Sequence, residues 1–169
     1  MSAALHELSA FEPAVLALAA ALRSRAWRIA TAESCTGGLI AAACTSVAGS
    51  SDWFERGFVT YSDEAKDEML QVGGPLLANF GAVSAEAAAA MALGALANSR
   101  ADLSVAVTGI AGPGGATPGK PVGTVWLAIA RRGDRAARVQ RLYLEGDRAA
   151  VRGQTVAQAL AALQAAVSA

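Results

Sequence analysis

Apolar positions along this chain follow two different spacings, and their alternation predicts the order of helices and strands. In residues 12–24, EPAVLALAAALRS, apolar side chains recur three and four positions apart, which is typical of a helix. The next stretch, AWRIATAE, is a short apolar run that ends in polar residues and indicates a strand. Segments of these two kinds alternate through most of the sequence.

Further segments complete the pattern. Strands are predicted at GFVTY, ADLSVAVTG, VGTVWLAIA and ARVQRLYLEG, and helices at TGGLIAAACTSVAG, SDEAKDEMLQV, SAEAAAAMALGALANSR and DRAAVRGQTVAQALAALQAAV. Ser62, Ser84 and Asp147 stand where helix N-caps are expected. Because strands alternate with helices until a final pair of adjacent strands, we expect a three-layer α/β/α sandwich on a mixed, mainly parallel sheet. Residues 1–169 are expected to form a single domain.

Composition and charge exclude several classes of protein. The chain is 54% hydrophobic and 17% charged, with 14 basic and 14 acidic side chains. This balance argues against disorder and against nucleic acid or an anionic membrane as a partner. No segment resembles a secretion signal or a membrane span, so we expect a cytoplasmic protein with reduced thiols.

The scarcity of histidine limits the chemistry. His6 is the only histidine and lies near the N-terminus, which nearly excludes a histidine-based triad. Cys35 and Cys44 lack a second pair of ligands, so we expect no metal site at the cysteines. No cofactor is expected either. Without a histidine to activate it, Cys35 is also a poor candidate nucleophile.

A glycine-rich loop, GGATPGKP at residues 114–121, falls short of a phosphate-binding loop. Pro121 stands where such a loop needs serine or threonine, and a predicted strand follows where a helix must begin. The sequence therefore argues against nucleoside triphosphate hydrolysis. A loop that closes over a ligand and a plain surface loop both remain open.

Two polar segments are candidates for a site. TAESCTGG, residues 31–38, joins a strand to a helix, where a ligand anion could meet free N–H groups, although a capped turn explains it equally well. VAGSSDWFERGFVTYSDEAK, residues 47–66, contains Ser51, Tyr61 and Lys66. A serine nucleophile needs a base, and a neutral lysine is the best base this chain offers. Tyr61 could relay the proton or orient the lysine.

These segments also carry a resemblance. TAESCTGG, AGSSDWFERGFVTYSDEAK, GAVS, TGIAGPGG, KPVGTVW and GDRAAVR occur in this order and resemble the C-terminal domain family of CinA, the competence-damage-inducible proteins. That family includes nicotinamide mononucleotide amidases. The resemblance runs from about residue 16 to residue 163 and is to the stand-alone form, without the extra N-terminal domain that many CinA proteins carry.

The resemblance implies hydrolysis of nicotinamide mononucleotide to nicotinate mononucleotide and ammonia, without a metal. It implies a serine–lysine pair at Ser51 and Lys66 with Tyr61 beside them, and Ser34 is the alternative nucleophile. Substrate contacts are implied at the following residues: Glu33, Thr36, Gly37, Gly38, Thr108, Gly109 and Arg148. Arg148 is expected to meet the phosphate, or alternatively the product carboxylate. Asp63 stands where asparagine is common in the family.

Two functions of different classes remain open. One is the amidase, with a small-molecule substrate and a homodimer as the expected assembly. The other is a non-catalytic module that binds a pyridine nucleotide or a partner in competence and recombination. A module that only binds has no need of a serine–lysine pair, which favours the enzyme.

Overall fold

Five strands form one mixed sheet in the computed structural model, which describes residues 8–169. They are β1 (Ile29–Glu33), β2 (Phe54–Val59), β3 (Leu103–Gly109), β4 (Thr124–Arg131) and β5 (Arg138–Tyr143). The order across the sheet is β2-β1-β3-β4-β5. β1 is parallel to β2 and β3, while β4 is antiparallel to β3 and β5. The mixed sheet is thereby confirmed, with parallel pairing confined to the half that contains β1.

Helices cover both faces of the sheet. They are α1 (Glu12–Arg25), α2 (Leu39–Thr45), α3 (Asp63–Leu70), α4 (Gly74–Phe80), α5 (Ala85–Ala97) and α6 (Arg148–Ser168). Side chains of α1, α2 and α6 form one apolar cluster with one face of the sheet, and those of α3, α4 and α5 form a second cluster with the other. The predicted three-layer α/β/α sandwich is confirmed.

Local capping explains where three of these helices begin. The Ser62 hydroxyl accepts from the N–H of Ala65 at the start of α3, and the Ser84 hydroxyl does the same for Ala87 at the start of α5. The Asp147 carboxylate accepts from the N–H of Ala150 and starts α6. All three predicted N-caps are confirmed, each satisfying a backbone donor that the first helical turn leaves free.

The sequence reading missed α4. Its segment, GPLLANF, is only seven residues long and has a proline in its first turn, a position that proline tolerates. It packs against α3 and α5 through Leu77. About two turns are too short for apolar positions to show a helical period in the sequence.

The alanine-rich helix α5 packs inside the molecule. Its apolar face lies on β3 and β4 and contributes to the second cluster. Gly94 lets α3 come close, because a Cβ added there would overlap the carbonyl oxygen of Leu70 and lie 3.0 Å from its Cβ. The last residue of the helix that carries Lys66 is thus in close contact with the backbone of α5 at Gly94.

The glycine-rich loop, the possible membrane spans and the N-terminal histidine were also the subject of predictions. The 110–123 loop leads into β4, so it does not open a helix, in agreement with the rejection of a phosphate-binding loop. No helix within residues 8–169 combines the length and the apolar character needed to cross a membrane. His6 lies outside the described residues, and the homodimer stays a prediction.

Candidate active site

The ends of three parallel strands bring polar side chains together. Ser34 follows β1, Thr60 follows β2, and Thr108 is the penultimate residue of β3. The Ser34 N–H donates to Val107 O at 3.0 Å, and the Thr60 N–H donates to Glu33 O at 2.9 Å, so the sheet pairing continues beyond β1. Side chains alternate between the faces of a sheet, which places Ser34, Thr60 and Thr108 on the same face as α3 and α5.

Lys66 reaches this edge from α3. Its side chain is buried, and Nζ lies 3.0 Å from Ser34 Oγ, 2.9 Å from Thr60 O and 3.1 Å from Tyr61 O. Burial lowers the pKa of Lys66 below its ordinary value, because removal from water disfavours the charged amine. The negative charge of Asp63 acts in the opposite direction and limits this lowering of the Lys66 pKa.

This geometry suits a serine nucleophile and an amine base. A neutral amine has two hydrogens and one lone pair. The carbonyls of Thr60 and Tyr61 can accept the two hydrogens, which leaves the lone pair for the hydroxyl hydrogen of Ser34. A third carbonyl, Ser62 O, lies 3.5 Å from Nζ, so the same surroundings can also accept the three hydrogens of the ammonium that forms when Ser34 gives up its proton.

Ser51 lies elsewhere, which corrects the expected pairing with Lys66. Ser51 is exposed in a short 3-10 helix, Ser50–Asp52, that precedes β2, whereas Lys66 follows β2. A six-residue strand at about 3.3 Å per residue separates the two by roughly 20 Å along the sheet. The structure instead brings Ser34, the alternative nucleophile, to Lys66.

The Tyr61 side chain is also not placed for the expected proton relay. It is 61% exposed, and its hydroxyl accepts from Arg148 Nη2 at 3.2 Å. The backbone carbonyl of Tyr61, which any residue would supply, is the group that contacts Lys66. Tyr61 therefore contacts Lys66 through its backbone carbonyl, and not through its side chain as expected.

Two N–H groups at the start of α2 that were expected to meet an anion, those of Gly37 and Gly38, already have acceptors inside the protein. The buried Glu33 carboxylate accepts from the N–H groups of Gly38 and Ile40 through Oε2 and from that of Ala41 through Oε1. The Gly37 N–H donates to Ser34 O. The Glu33 carboxylate therefore faces the protein, and of the N–H groups expected to meet a phosphate only that of Thr36 has no acceptor within residues 8–169.

Thr108 and Gly109 serve the packing at the end of β3. The Thr108 hydroxyl donates to Ala82 O at 2.7 Å and ties the loop before α5 to the sheet. A Cβ at Gly109 would lie 2.7 Å from Thr124 O, so this residue must be small for β4 to pair. Neither residue presents a free hydroxyl hydrogen or a side chain to a substrate in this arrangement.

Two arginines of α6 face the site from outside. Arg148 Nη1 donates to Gly112 O at 2.9 Å, in addition to its contact with Tyr61. One turn later, Arg152 Nη2 donates to Thr36 O at 3.0 Å. Both arginines line a depression of about 520 Å³ that also includes Pro113. The sequence reading missed Arg152, although its spacing of four from Arg148 puts both on one side of a helix.

The thiols have no part in this arrangement. Burial raises the pKa of Cys35 to about 11 and that of Cys44 to about 12. Both are therefore protonated at neutral pH, and a thiol is a poor nucleophile compared with its thiolate. Within residues 8–169, no group of three or more histidine, cysteine, aspartate and glutamate residues could hold a metal ion.

Known proteins resemble the chain over almost its whole length. PncC of Escherichia coli K12, a nicotinamide-nucleotide amidohydrolase, is 54% identical over 144 residues, which cover 85% of this chain and 86% of that protein. A CinA-like protein of Citrifermentans bemidjiense is 57% identical over 143 residues, which cover 85% of this chain. The matched region is only 34% of that relative, so the chain spans about a third of the length of such CinA-like proteins.

Solved structures agree with these relatives. The competence/damage inducible protein CihA from Agrobacterium tumefaciens superposes with a TM-score of 0.89 at 46% identity, covering 94% of this chain and 96% of that one. A CinA superfamily protein from Klebsiella pneumoniae gives 0.88 at 42% identity, covering 92% and 96%. The sequence profile of the CinA C-terminal domain matches residues 12–167. The chain therefore belongs to the CinA C-terminal domain family.

Proposed function

We propose that this protein hydrolyses the carboxamide of nicotinamide mononucleotide to give nicotinate mononucleotide and ammonia, with Ser34 as nucleophile and Lys66 as base. The relatives named as nicotinamide-nucleotide amidohydrolases support the substrate. The single observation that carries the mechanism is the 3.0 Å distance between Lys66 Nζ and Ser34 Oγ in a buried setting. A pure binding module would gain nothing from a lysine held in this way.

The proposed reaction has two halves. Lys66 takes the hydroxyl proton of Ser34 while Oγ attacks the carboxamide carbon, and the Lys66 ammonium then protonates the departing amine. Ammonia leaves, and the nicotinoyl group stays on Ser34 as an ester. Lys66 next takes a proton from water, which attacks the ester carbon. The Lys66 ammonium returns its proton to Oγ, and the product leaves as a carboxylic acid that loses its remaining proton to water to become the carboxylate.

The oxyanion needs a donor close to Ser34. The amides of Gly37 and Gly38 already have acceptors, whereas the Thr36 N–H has none within residues 8–169. We assign the oxyanion contact to this N–H, two residues after the nucleophile. A backbone donor that is fixed before the substrate arrives costs little reorganisation during the reaction.

The substrate phosphate is assigned to Arg148 and Arg152 rather than to the start of α2. Both arginines line the same depression, and Arg152 also contacts the turn after Ser34 through Thr36 O. Each guanidinium has five N–H hydrogens, and the contacts described above use only part of them. A guanidinium group can donate two parallel hydrogen bonds to the oxygens of a phosphate. The second arginine supplies positive charge in place of the N–H groups at the start of α2, which donate to Glu33. The proposal also includes a cytoplasmic location, which cell fractionation tests. It includes a homodimer, which analytical sedimentation tests.

The decisive experiment compares two serines. Ser34→Ala is expected to lower kcat for ammonia release from nicotinamide mononucleotide by at least ~10³-fold, because it removes the attacking atom. Ser51→Ala is the matched control and should retain nearly full activity, since Ser51 is exposed and distant from Lys66. The reverse result, with Ser51 essential and Ser34 dispensable, would refute the proposed mechanism.

A further inference from the structure

Glu33, directly before Ser34, combines complete burial with an unusual number of donors. Its carboxylate is 0% exposed and accepts four hydrogen bonds. We infer that Glu33 is a positioning residue, which holds the turn after β1 in the shape that aims Ser34 at Lys66 and the Thr36 N–H at the oxyanion. This inference rests on the proposed function, in which Ser34 is the nucleophile.

The four contacts span the turn and the start of α2. Oε2 accepts from the Thr36 hydroxyl at 2.5 Å and from the N–H groups of Gly38 and Ile40 at 3.1 and 3.0 Å. Oε1 accepts from the N–H of Ala41 at 2.9 Å. Residues 36–41 are therefore attached to the side chain of the residue that precedes the nucleophile.

Both oxygens must be acceptors, because every partner is a donor. A glutamine has nearly the same shape, but one of its two ends is an NH₂ group. In either orientation that NH₂ would face at least one N–H or O–H group that now donates to Glu33. The amide therefore leaves a buried donor unpaired and pushes part of the turn away.

Other contacts transmit this restraint to Ser34. The Ser34 N–H is fixed on β3 through Val107 O, and Ser34 O accepts from the Gly37 N–H at 3.1 Å. From the outer side, Arg152 donates to Thr36 O. The backbone on both sides of the nucleophile is thus fixed, and Glu33 supplies the bonds from the interior.

A residue of this kind acts through geometry. Glu33 cannot touch the substrate, because no part of its side chain is accessible. It is also absent from the groups whose charges shift the Lys66 pKa. We therefore expect its replacement to change the rate of the chemical step without changing substrate affinity or the pH at which Lys66 becomes a base.

The test measures ammonia release from nicotinamide mononucleotide across pH for three variants of the full chain. Glu33→Gln is expected to lower kcat by roughly 10- to 100-fold, since a misplacement of about 1 Å costs up to that much. KM should stay within about threefold, and the midpoint of the acid limb should not move. Glu86→Gln, an exposed acid on α5, is the matched control and should behave like the unmodified protein.

Thr36→Val provides a second, milder perturbation. It removes one of the four donors to Glu33 and keeps both the carboxylate and the Thr36 N–H. Its kcat should fall less than that of Glu33→Gln, again at an unchanged midpoint. If Glu33→Gln does not fold, as judged by circular dichroism, Thr36→Val decides: a lowered kcat supports the inference, and an unchanged kcat overturns it.

The remaining outcomes are distinct. A folded Glu33→Gln with kcat equal to that of Glu86→Gln overturns the positioning role. If Glu33→Gln raises KM and leaves kcat unchanged, Glu33 contacts the substrate. If it displaces the midpoint of the acid limb, Glu33 takes part in proton transfer. Either result also overturns the inference. Ser34→Ala in the same assay separates the proposed function from the positioning role of Glu33. An active Ser34→Ala variant overturns the proposed function. An inactive Ser34→Ala variant together with a fully active Glu33→Gln variant overturns only the positioning role.

Discussion

Asp63 offers a graded way to test whether the Lys66 amine is the base. This exposed carboxylate at the start of α3 raises the Lys66 pKa, against the larger lowering by burial. Replacing Asp63 by Asn removes the charge and keeps the size of the side chain. The Lys66 pKa should then fall further, so that more of the enzyme carries a neutral amine at any pH on the acid limb.

The expected size of the shift follows from the exposure of Asp63. Interactions of exposed charges are worth about 0.2–1 kcal/mol, which corresponds to roughly 0.15–0.7 pKa units. At pH 7.5 a lysine with the ordinary pKa of 10.5 is neutral in only about one molecule in 1,000. On the acid limb the rate is proportional to the neutral fraction, so Asp63→Asn should raise kcat/KM there by about 1.4- to 5-fold.

The assay is kcat/KM for ammonia release from nicotinamide mononucleotide, measured from pH 6 upward in about half-unit steps. Because neutral lysine is the working form, kcat/KM rises with pH up to the apparent pKa and then levels. The Asp63→Asn curve should lie at lower pH and reach the same plateau. Glu64→Gln is the control, since Glu64 is also exposed on the same turn, whereas the carboxylate that acts on the Lys66 pKa is that of Asp63.

Salt provides an independent check on the cause. The displacement between the two curves should shrink as ionic strength rises, because salt screens exposed charges. A shift of Asp63→Asn toward higher pH contradicts an amine base influenced by Asp63. Equal shifts for Asp63→Asn and Glu64→Gln would attribute the effect to net charge rather than to the proximity of Asp63.

The remaining predictions concern the base, the phosphate and the thiols. Lys66→Arg should lower kcat by about 10²–10⁴-fold while product binding measured by calorimetry persists, because arginine does not deprotonate in the working pH range; near-normal turnover would remove Lys66 from the mechanism. Arg148→Ala should lower kcat/KM about 10- to 100-fold for nicotinamide mononucleotide and much less for its riboside; equal losses would exclude a phosphate contact. Activity should survive a chelator and the double change Cys35→Ala with Cys44→Ala; loss on chelation with recovery on adding zinc would contradict a metal-free site.

Features set by nearby residues could be predicted from the sequence. Ser62, Ser84 and Asp147 cap helices in the structure because each needs only a backbone N–H three residues away. The layer order followed from the alternation of two apolar spacings. The short helix α4 was missed because GPLLANF, about two turns long, has no measurable period.

The choice of serine needed the three-dimensional arrangement. Ser51 is 15 residues from Lys66 in the sequence and Ser34 is 32 residues away, yet Ser34 is the one in contact. β2 lies between Ser51 and Lys66 and separates them, while parallel pairing brings the ends of β1 and β2 together. The hydrogen bonds of Glu33 were equally hidden, because its partners follow it by three to eight residues and become neighbours only when α2 turns back over it.

The contact between Gly94 and Leu70 has a consequence for laboratory evolution of this scaffold. A library aimed at new amide substrates would normally treat a glycine in a distant alanine-rich helix as a neutral position. Any side chain there would push against the last residue of α3, one turn beyond Lys66, and shift the amine relative to Ser34. Diversity is better placed around the depression lined by Arg148 and Arg152, with position 94 kept as glycine.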